Sequence, residues 1–134
     1  MRGENRPSLW GHRVKQARER IGLSQKALGI EAGLDEFVAS TRMNRYEQGI
    51  HKPDEAFSRR VAAILGVPGA YLHAESDELA HLIETWGLLS DERRKQLARL
   101  ASELREHDLK MEAEAVELAQ EIGARPPRKK ARRP

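Results

Sequence analysis

Apolar residues recur every three or four positions along most of the chain, and no stretch alternates apolar and polar residues for long enough to form a strand. This spacing predicts an all-α fold. The first helix is predicted over residues 8–21, and Gly22 follows where a helix commonly ends in a left-handed residue. One face of this helix carries the apolar residues Trp10, Val14, Ala17 and Ile21.

Four more short helical segments are predicted before residue 75. The first three are bounded by a side chain that caps free amides at the start or by a glycine at the end. Their predicted limits are Ser24 to Gly33, Ala39 or Ser40 to Gly49, Pro53 and Asp54 to Gly66, and the brief turn VPGAYLHA. Residues 8–74 are therefore expected to form a compact five-helix head.

A helical extension is predicted over residues 76–122. Ser76 opens a helix that ends at Gly87, and a second helix runs from Ser90 to Ile122 without glycine or proline. The helix that Ser76 opens carries Leu79, Leu82, Ile83 and Trp86. In the second helix, steps of four and three connect Leu97, Ala101, Leu104, Asp108, Met111, Ala115, Leu118 and Ile122. We call this row of residues the seam of the helix, and such a seam packs along another helix. It predicts that the helix either forms a dimer with a second copy of the chain or folds back onto the head.

Charge divides along the same boundaries. The formal net charge is +3 over residues 1–75, −6 over 76–122 and +6 over 123–134. We expect a flexible N-terminus over 1–7 and a disordered basic tail over 123–134, which has no apolar residues to bury. The tail either clasps a phosphate backbone or only keeps the chain in solution. A basic head and tail favour nucleic acid as the partner.

Several classes of protein are disfavoured by what the chain lacks. It contains no cysteine, no run long enough to cross a bilayer and no recognisable leader, so it is expected to be cytoplasmic and not bound to a membrane. Its five histidines do not have metal-ligand spacing, and no glycine loop for phosphate or nucleophile elbow is present. We therefore predict no metal, no cofactor and no enzymatic activity.

The third predicted helix carries candidates for DNA recognition. Met43 and Tyr46 lie at its inward positions, whereas Ser40, Thr41, Asn44 and Arg45 are polar and face outward. Arginine pairs two donors with guanine, asparagine bridges adenine, and hydroxyl groups serve either base. These four residues are predicted to contact bases.

Residues 9–73 resemble the helix-turn-helix domain of phage repressors and Cro proteins, the XRE type. The matching segments are VKQARERIGLSQKALGIEAG, MNRYEQG, the KP that follows it, and RRVAAILGVPGAYL. Each segment alone is a weak match, but the order and spacing of the segments together are specific to this family. The resemblance implies a lambda-repressor-like head that is followed here by the helical extension.

The resemblance also implies roles for individual residues. Gln25, at the start of the second helix, corresponds to a residue that touches a DNA phosphate. Arg42 and Lys52 are weaker candidates for phosphate contacts. Arg18 and Glu47 lie at inward positions, where a buried charge needs a partner, and in the family such a pair forms a structural salt bridge.

The chain departs from the family pattern between its second and third helices. Gly29 replaces the usual alanine, which fits a close crossing of two helices. An insertion of about four residues, LDEF, lengthens the turn. We expect Asp35 and Glu36 to cap this turn away from phosphate, and Phe37 to pin it to the core.

These observations predict a transcriptional regulator that binds double-stranded DNA sequence-specifically, as a dimeric repressor that occludes a promoter. The alternative is an antitoxin or another interaction module that binds a basic protein partner through residues 76–122, with DNA binding secondary. A small basic protein that co-purifies would favour the alternative.

Overall fold

The computed structural model describes residues 7–128, and these residues form α-helices and one 3-10 helix without strands. The six α-helices are α1 (Leu9–Arg20), α2 (Gln25–Glu31), α3 (Ala39–Glu47), α4 (Glu55–Leu65), α5 (Asp77–Leu88) and α6 (Asp91–Glu121). The 3-10 helix, Gly69–His73, lies between α4 and α5. The predicted all-α fold is confirmed. The expectations for residues 1–6 and 129–134 lie outside the described residues.

Helix starts follow the capping side chains. Ser8, Ser24, Asp54 and Ser90 each accept a hydrogen bond from a backbone N–H in the first turn of α1, α2, α4 and α6. The glycines that end most of these helices adopt left-handed backbone angles, as at Gly66 with φ 69°. Local chemistry therefore sets most of the helix limits.

The first compact unit extends to Leu88, and its core lies among α1 to α4 and the 3-10 helix. Val14, Leu28, Met43 and Val61 are fully buried there. The core also contains Trp10, Ala17, Phe57, Leu65, Tyr71 and Leu72. This packing holds α2 and α3, the two helices of the predicted DNA-binding motif, on a rigid support.

A buried arginine ties α1 to the start of α5. Arg13 is 2% exposed, and its Nε donates to the carbonyl of Ala74 at 2.9 Å. Its Nη1 donates to Asp77 Oδ1 at 2.6 Å, and this hydrogen bond and the opposite charge lower the pKa of the Asp77 carboxyl. Helix α5 also buries Ala80. The first compact unit therefore includes α5 in addition to the five predicted helices of the head.

The second compact unit begins at Leu89 and contains α6. This helix has 31 residues, and many of its apolar side chains are exposed to solvent. Those more than half exposed are Leu100, Leu104, Met111 and Leu118. No helix of the described chain is long and apolar enough to cross a membrane.

Candidate nucleic-acid interface

Helices α2 and α3 cross at very short range. Gly29 is buried in α2, and a Cβ added there would lie 2.9 Å from Met43 Cγ and 3.1 Å from Ala39 Cβ. A larger residue would push α3 away, so glycine fits the crossing better than the alanine usual in the family. The contact fixes which face of α3 is buried.

The opposite face of α3 carries the predicted base readers. Ala39, Met43 and Glu47 are buried, at intervals of four residues. The exposed residues include Ser40, Thr41, Asn44 and Arg45, and also Arg42. Four predicted base readers thus occupy neighbouring exposed positions on one rigidly supported helix, a geometry suited to reading the edges of base pairs in the major groove.

The residues predicted to contact phosphate lie within α3 and on both sides of it in the sequence. Arg42 is exposed on α3 itself, and Lys52 is exposed in the segment that connects α3 to α4. Gln25 is half-buried as the first residue of α2, directly after the capping Ser24. Its amide therefore lies at the positive end of a helix dipole.

Arg18, Gln25 and Glu47 form one hydrogen-bonded cluster. Arg18 Nε donates to Glu47 Oε1 at 2.8 Å, and Arg18 Nη2 donates to Oε2 at 3.3 Å. Gln25 Nε2 donates to the same Oε2 at 2.9 Å, and Arg18 Nη1 donates to the Leu23 carbonyl at 2.8 Å. Since Arg18 is 8% and Glu47 5% exposed, this buried pair fastens α3 to α1. The link from Gln25 to Glu47 was not foreseen from the sequence.

Both acidic residues of the turn between α2 and α3 have a partner within the protein. Asp35 Oδ1 accepts a hydrogen bond from the Phe37 N–H at 2.9 Å, and Glu36 lies 3.4 Å from Lys26 Nζ. The Asp35 carbonyl accepts from the N–H groups of Val38 and Ala39, at 3.1 and 2.9 Å. Asp35 therefore holds the turn through its side chain and its backbone, while Glu36 faces a cation.

The expectation that Phe37 pins this turn to the core is wrong. Phe37 is 93% exposed, whereas Leu34 is half-buried and packs against the core. The Leu34 N–H also donates to the Gly29 carbonyl at 2.9 Å. Leu34 precedes the tight turn and can reach inward, but the hydrogen bonds that Asp35 accepts hold the next residues in a turn that leaves Phe37 exposed.

Two short helices that cross in this way, with a polar exposed face on the second, define a helix-turn-helix DNA-binding protein. Residues 10–74 match the family model described as a helix-turn-helix domain. A solved structure, the crystal structure of transcriptional regulator BswR, is similar at 47% sequence identity with a TM-score of 0.65. The similarity covers 69% of this chain and 92% of that chain. The comparison with curated proteins found no match.

The chain therefore belongs to the helix-turn-helix family of transcriptional regulators, and it is a DNA-binding regulator. The family assignment accounts for the head, in which α2 and α3 are the crossing pair.

Proposed function

We propose that the protein is a sequence-specific regulator of the phage repressor and Cro type, the XRE type, which reads double-stranded DNA with α3 in the major groove. The observation that carries the proposal is the row of exposed polar residues on α3, whose opposite face is fixed in the core. Arg45 suits guanine and Asn44 suits adenine, whereas Ser40 and Thr41 accept or donate a hydrogen bond at either base.

Phosphate contacts would hold α3 in register on the duplex. Gln25 has two amide N–H groups, one of which donates to Glu47. The other is the donor for a phosphate oxygen at the N-terminus of α2, where the helix dipole favours an anion. Arg42 and Lys52 add positive charge beside this helix pair.

We further propose that two copies act together as a dimeric repressor in the cytoplasm. The support is the apolar seam of α6, which includes Leu104, Met111 and Leu118 at steps of seven residues. Each of the three is more than half exposed in the single chain, and burial against the same seam of a second copy would remove that surface from water. Two heads would match half-sites about 34 Å apart, and the bound dimer would occlude a promoter.

Selection of bound fragments from random duplex DNA tests sequence-specific binding. We expect a palindromic consensus, and we expect Arg45→Ala to weaken binding to that consensus by about 1–3 kcal/mol through loss of a bidentate base contact. Gln25→Ala should weaken binding to all sequences about equally, because a phosphate carries no sequence information. Fluorescence anisotropy at fixed salt measures both.

Arg59→Ala is the matched control for Arg45→Ala. Arg59 is an exposed arginine on α4 that pairs with Glu55, so its loss removes the same charge away from α3. Its affinity should stay close to that of the native protein. Equal losses for the two variants, or enrichment of fragments without any consensus, would reduce the protein to a charge-driven binder and contradict the proposal.

Leu104→Asp tests the dimer. A charge in the middle of the seam should drive the protein to a mass of 15.2 kDa in sedimentation experiments at concentrations where the native protein is dimeric. The Leu104→Asp variant should also bind the palindromic site more weakly than the native protein. Ser102→Asp is the control, because Ser102 is exposed in α6 two residues from Leu104, on the other side of the helix. A native protein that sediments as a monomer would contradict the dimer. Co-purification with a small basic protein would favour the antitoxin alternative.

A further inference from the structure

An almost fully exposed aromatic residue stands at the beginning of the proposed reading helix. Phe37 is 93% exposed, a larger fraction than for any other large hydrophobic residue of the described chain. A phenylalanine side chain stabilises a fold when it is buried, so the exposed Phe37 ring does not add to the stability of the head. The lengthened turn places the ring in solvent by a specific set of hydrogen bonds, which suggests a role outside the core.

Phe37 lies two residues before α3, in the turn whose backbone leads into that helix. The Ala39 N–H donates to the Asp35 carbonyl and the Arg42 N–H donates to the Val38 carbonyl, both at 2.9 Å, so the turn leads directly into α3. Val38 itself has right-handed helical angles. The bond from Ala39 to Asp35 closes one turn of backbone around Phe37, and the side chains of Phe37, Ser40 and Thr41 are all exposed.

The charges around Phe37 are tied back within the protein. The Asp35 carboxylate is held by the Phe37 N–H, and the Glu36 carboxylate lies beside Lys26. The hydrogen bond that Phe37 N–H donates to Asp35 also fixes the backbone from which the ring projects. The tip of the turn therefore presents an exposed apolar ring, with the nearby acids engaged by a donor or a cation.

We propose that Phe37 contacts the C5-methyl group of a thymine in the major groove, at the edge of the sequence that α3 reads. This inference rests on the proposed function, because it requires the N-terminal end of α3 to enter the groove. A phenyl ring has no hydrogen-bonding group, and the thymine methyl is the apolar group that base pairs present on the major-groove side. Phe37 would thus add an apolar contact with thymine to the hydrogen bonds that the polar residues of α3 make with bases.

Duplex DNA is favoured over a protein as the partner of Phe37. The exposed residues that follow Phe37 in the chain are the apolar Val38 and then Ser40 and Thr41, which carry hydroxyl groups. Two apolar side chains within a polar surface are far smaller than the contiguous patches of protein interfaces. The side chains of Phe37 and Val38 are large enough to cover one thymine methyl group and the base step that carries it.

The test uses the selected consensus duplex, in which each thymine is replaced in turn by uracil, a base that lacks only the methyl group. For the native protein, one or two such replacements should reduce affinity about fourfold, the effect of exposing one methyl group. Phe37→Ala should bind the unmodified duplex with a similar loss and should no longer respond to uracil at those positions. Ile21→Ala, which removes an exposed apolar side chain at the end of α1, should keep the full response.

The outcomes separate this inference from the proposed function. A consensus that weakens with Arg45→Ala, together with a native protein that ignores uracil at every position, would overturn the role of Phe37 and leave the reading helix intact. An equal response to uracil in the native protein and in Phe37→Ala would also overturn it. If Phe37→Ala instead changes only self-association in sedimentation experiments, the ring contacts protein and the inference is wrong. Absence of any consensus would remove both proposals.

Discussion

Replacement of Gly11 by alanine is expected to leave the head unfolded or barely folded. A Cβ at this position would lie 1.9 Å from the carbonyl oxygen of Glu47 and 2.5 Å from its carbonyl carbon. Both groups belong to the backbone, so no side-chain rotation relieves the clash, and α1 and α3 must separate. Overpacking costs about 1–3 kcal/mol and occasionally more. We expect more than about 3 kcal/mol here, a large part of the 5–15 kcal/mol typical of a domain.

The sign of this effect makes the experiment decisive. Helix propensity alone predicts that alanine in place of a helical glycine stabilises by up to about 1 kcal/mol. Urea unfolding followed by circular dichroism distinguishes the two predictions. Gly69→Ala is the control, because a Cβ at Gly69 meets nothing within 4 Å. If Gly11→Ala unfolds at the same urea concentration as Gly69→Ala, α1 and α3 do not pack this closely.

Helix limits were largely predictable because they depend on neighbours in sequence. Serine and aspartate side chains cap the starts of helices, and Gly22, Gly33 and Gly66 take the left-handed angles expected after their ends. Gly87 is different, since α5 continues to Leu88 and the predicted end at Gly87 is wrong. A Cβ at Gly87 would lie 2.8 Å from Pro68 Cγ, so this glycine serves close packing. A sequence pattern does not distinguish a terminating glycine from a packing one.

The site was less predictable where it depends on contacts distant in sequence. Arg13 lies on the apolar face of α1 together with Trp10 and Val14, and this position was the available signal that it is buried. Its partner Asp77 is 64 residues away and could not be identified from spacing. Phe37 shows the opposite problem, because an aromatic residue in a turn suggests an anchor to the core. The hydrogen bonds that backbone N–H groups donate to Asp35 shape the turn, and they are visible only in the three-dimensional structure.

Loss of Arg18 is expected to destabilise the head strongly and to disturb DNA binding with it. Arg18→Met leaves the buried Glu47 carboxylate with Gln25 as its remaining partner in the cluster. Breaking a buried pair in this way costs about 3–5 kcal/mol, because the remaining charge is both desolvated and uncompensated. Arg59→Ala, which breaks an exposed pair, should cost less than about 1 kcal/mol in the same urea titration.

The double variant Arg18→Met with Glu47→Leu separates stability from positioning. Replacement of both charges by apolar groups of similar size is often neutral, so most of the lost stability should return. The DNA affinity should not return fully, because Gln25 loses the Glu47 carboxylate that holds its amide, and the proposed phosphate contact depends on that orientation. Urea unfolding and fluorescence anisotropy on the same samples measure the two effects. Full recovery of both would show that the ion pair only fills space, whereas recovery of stability alone assigns Glu47 to positioning Gln25 as well as fastening α3.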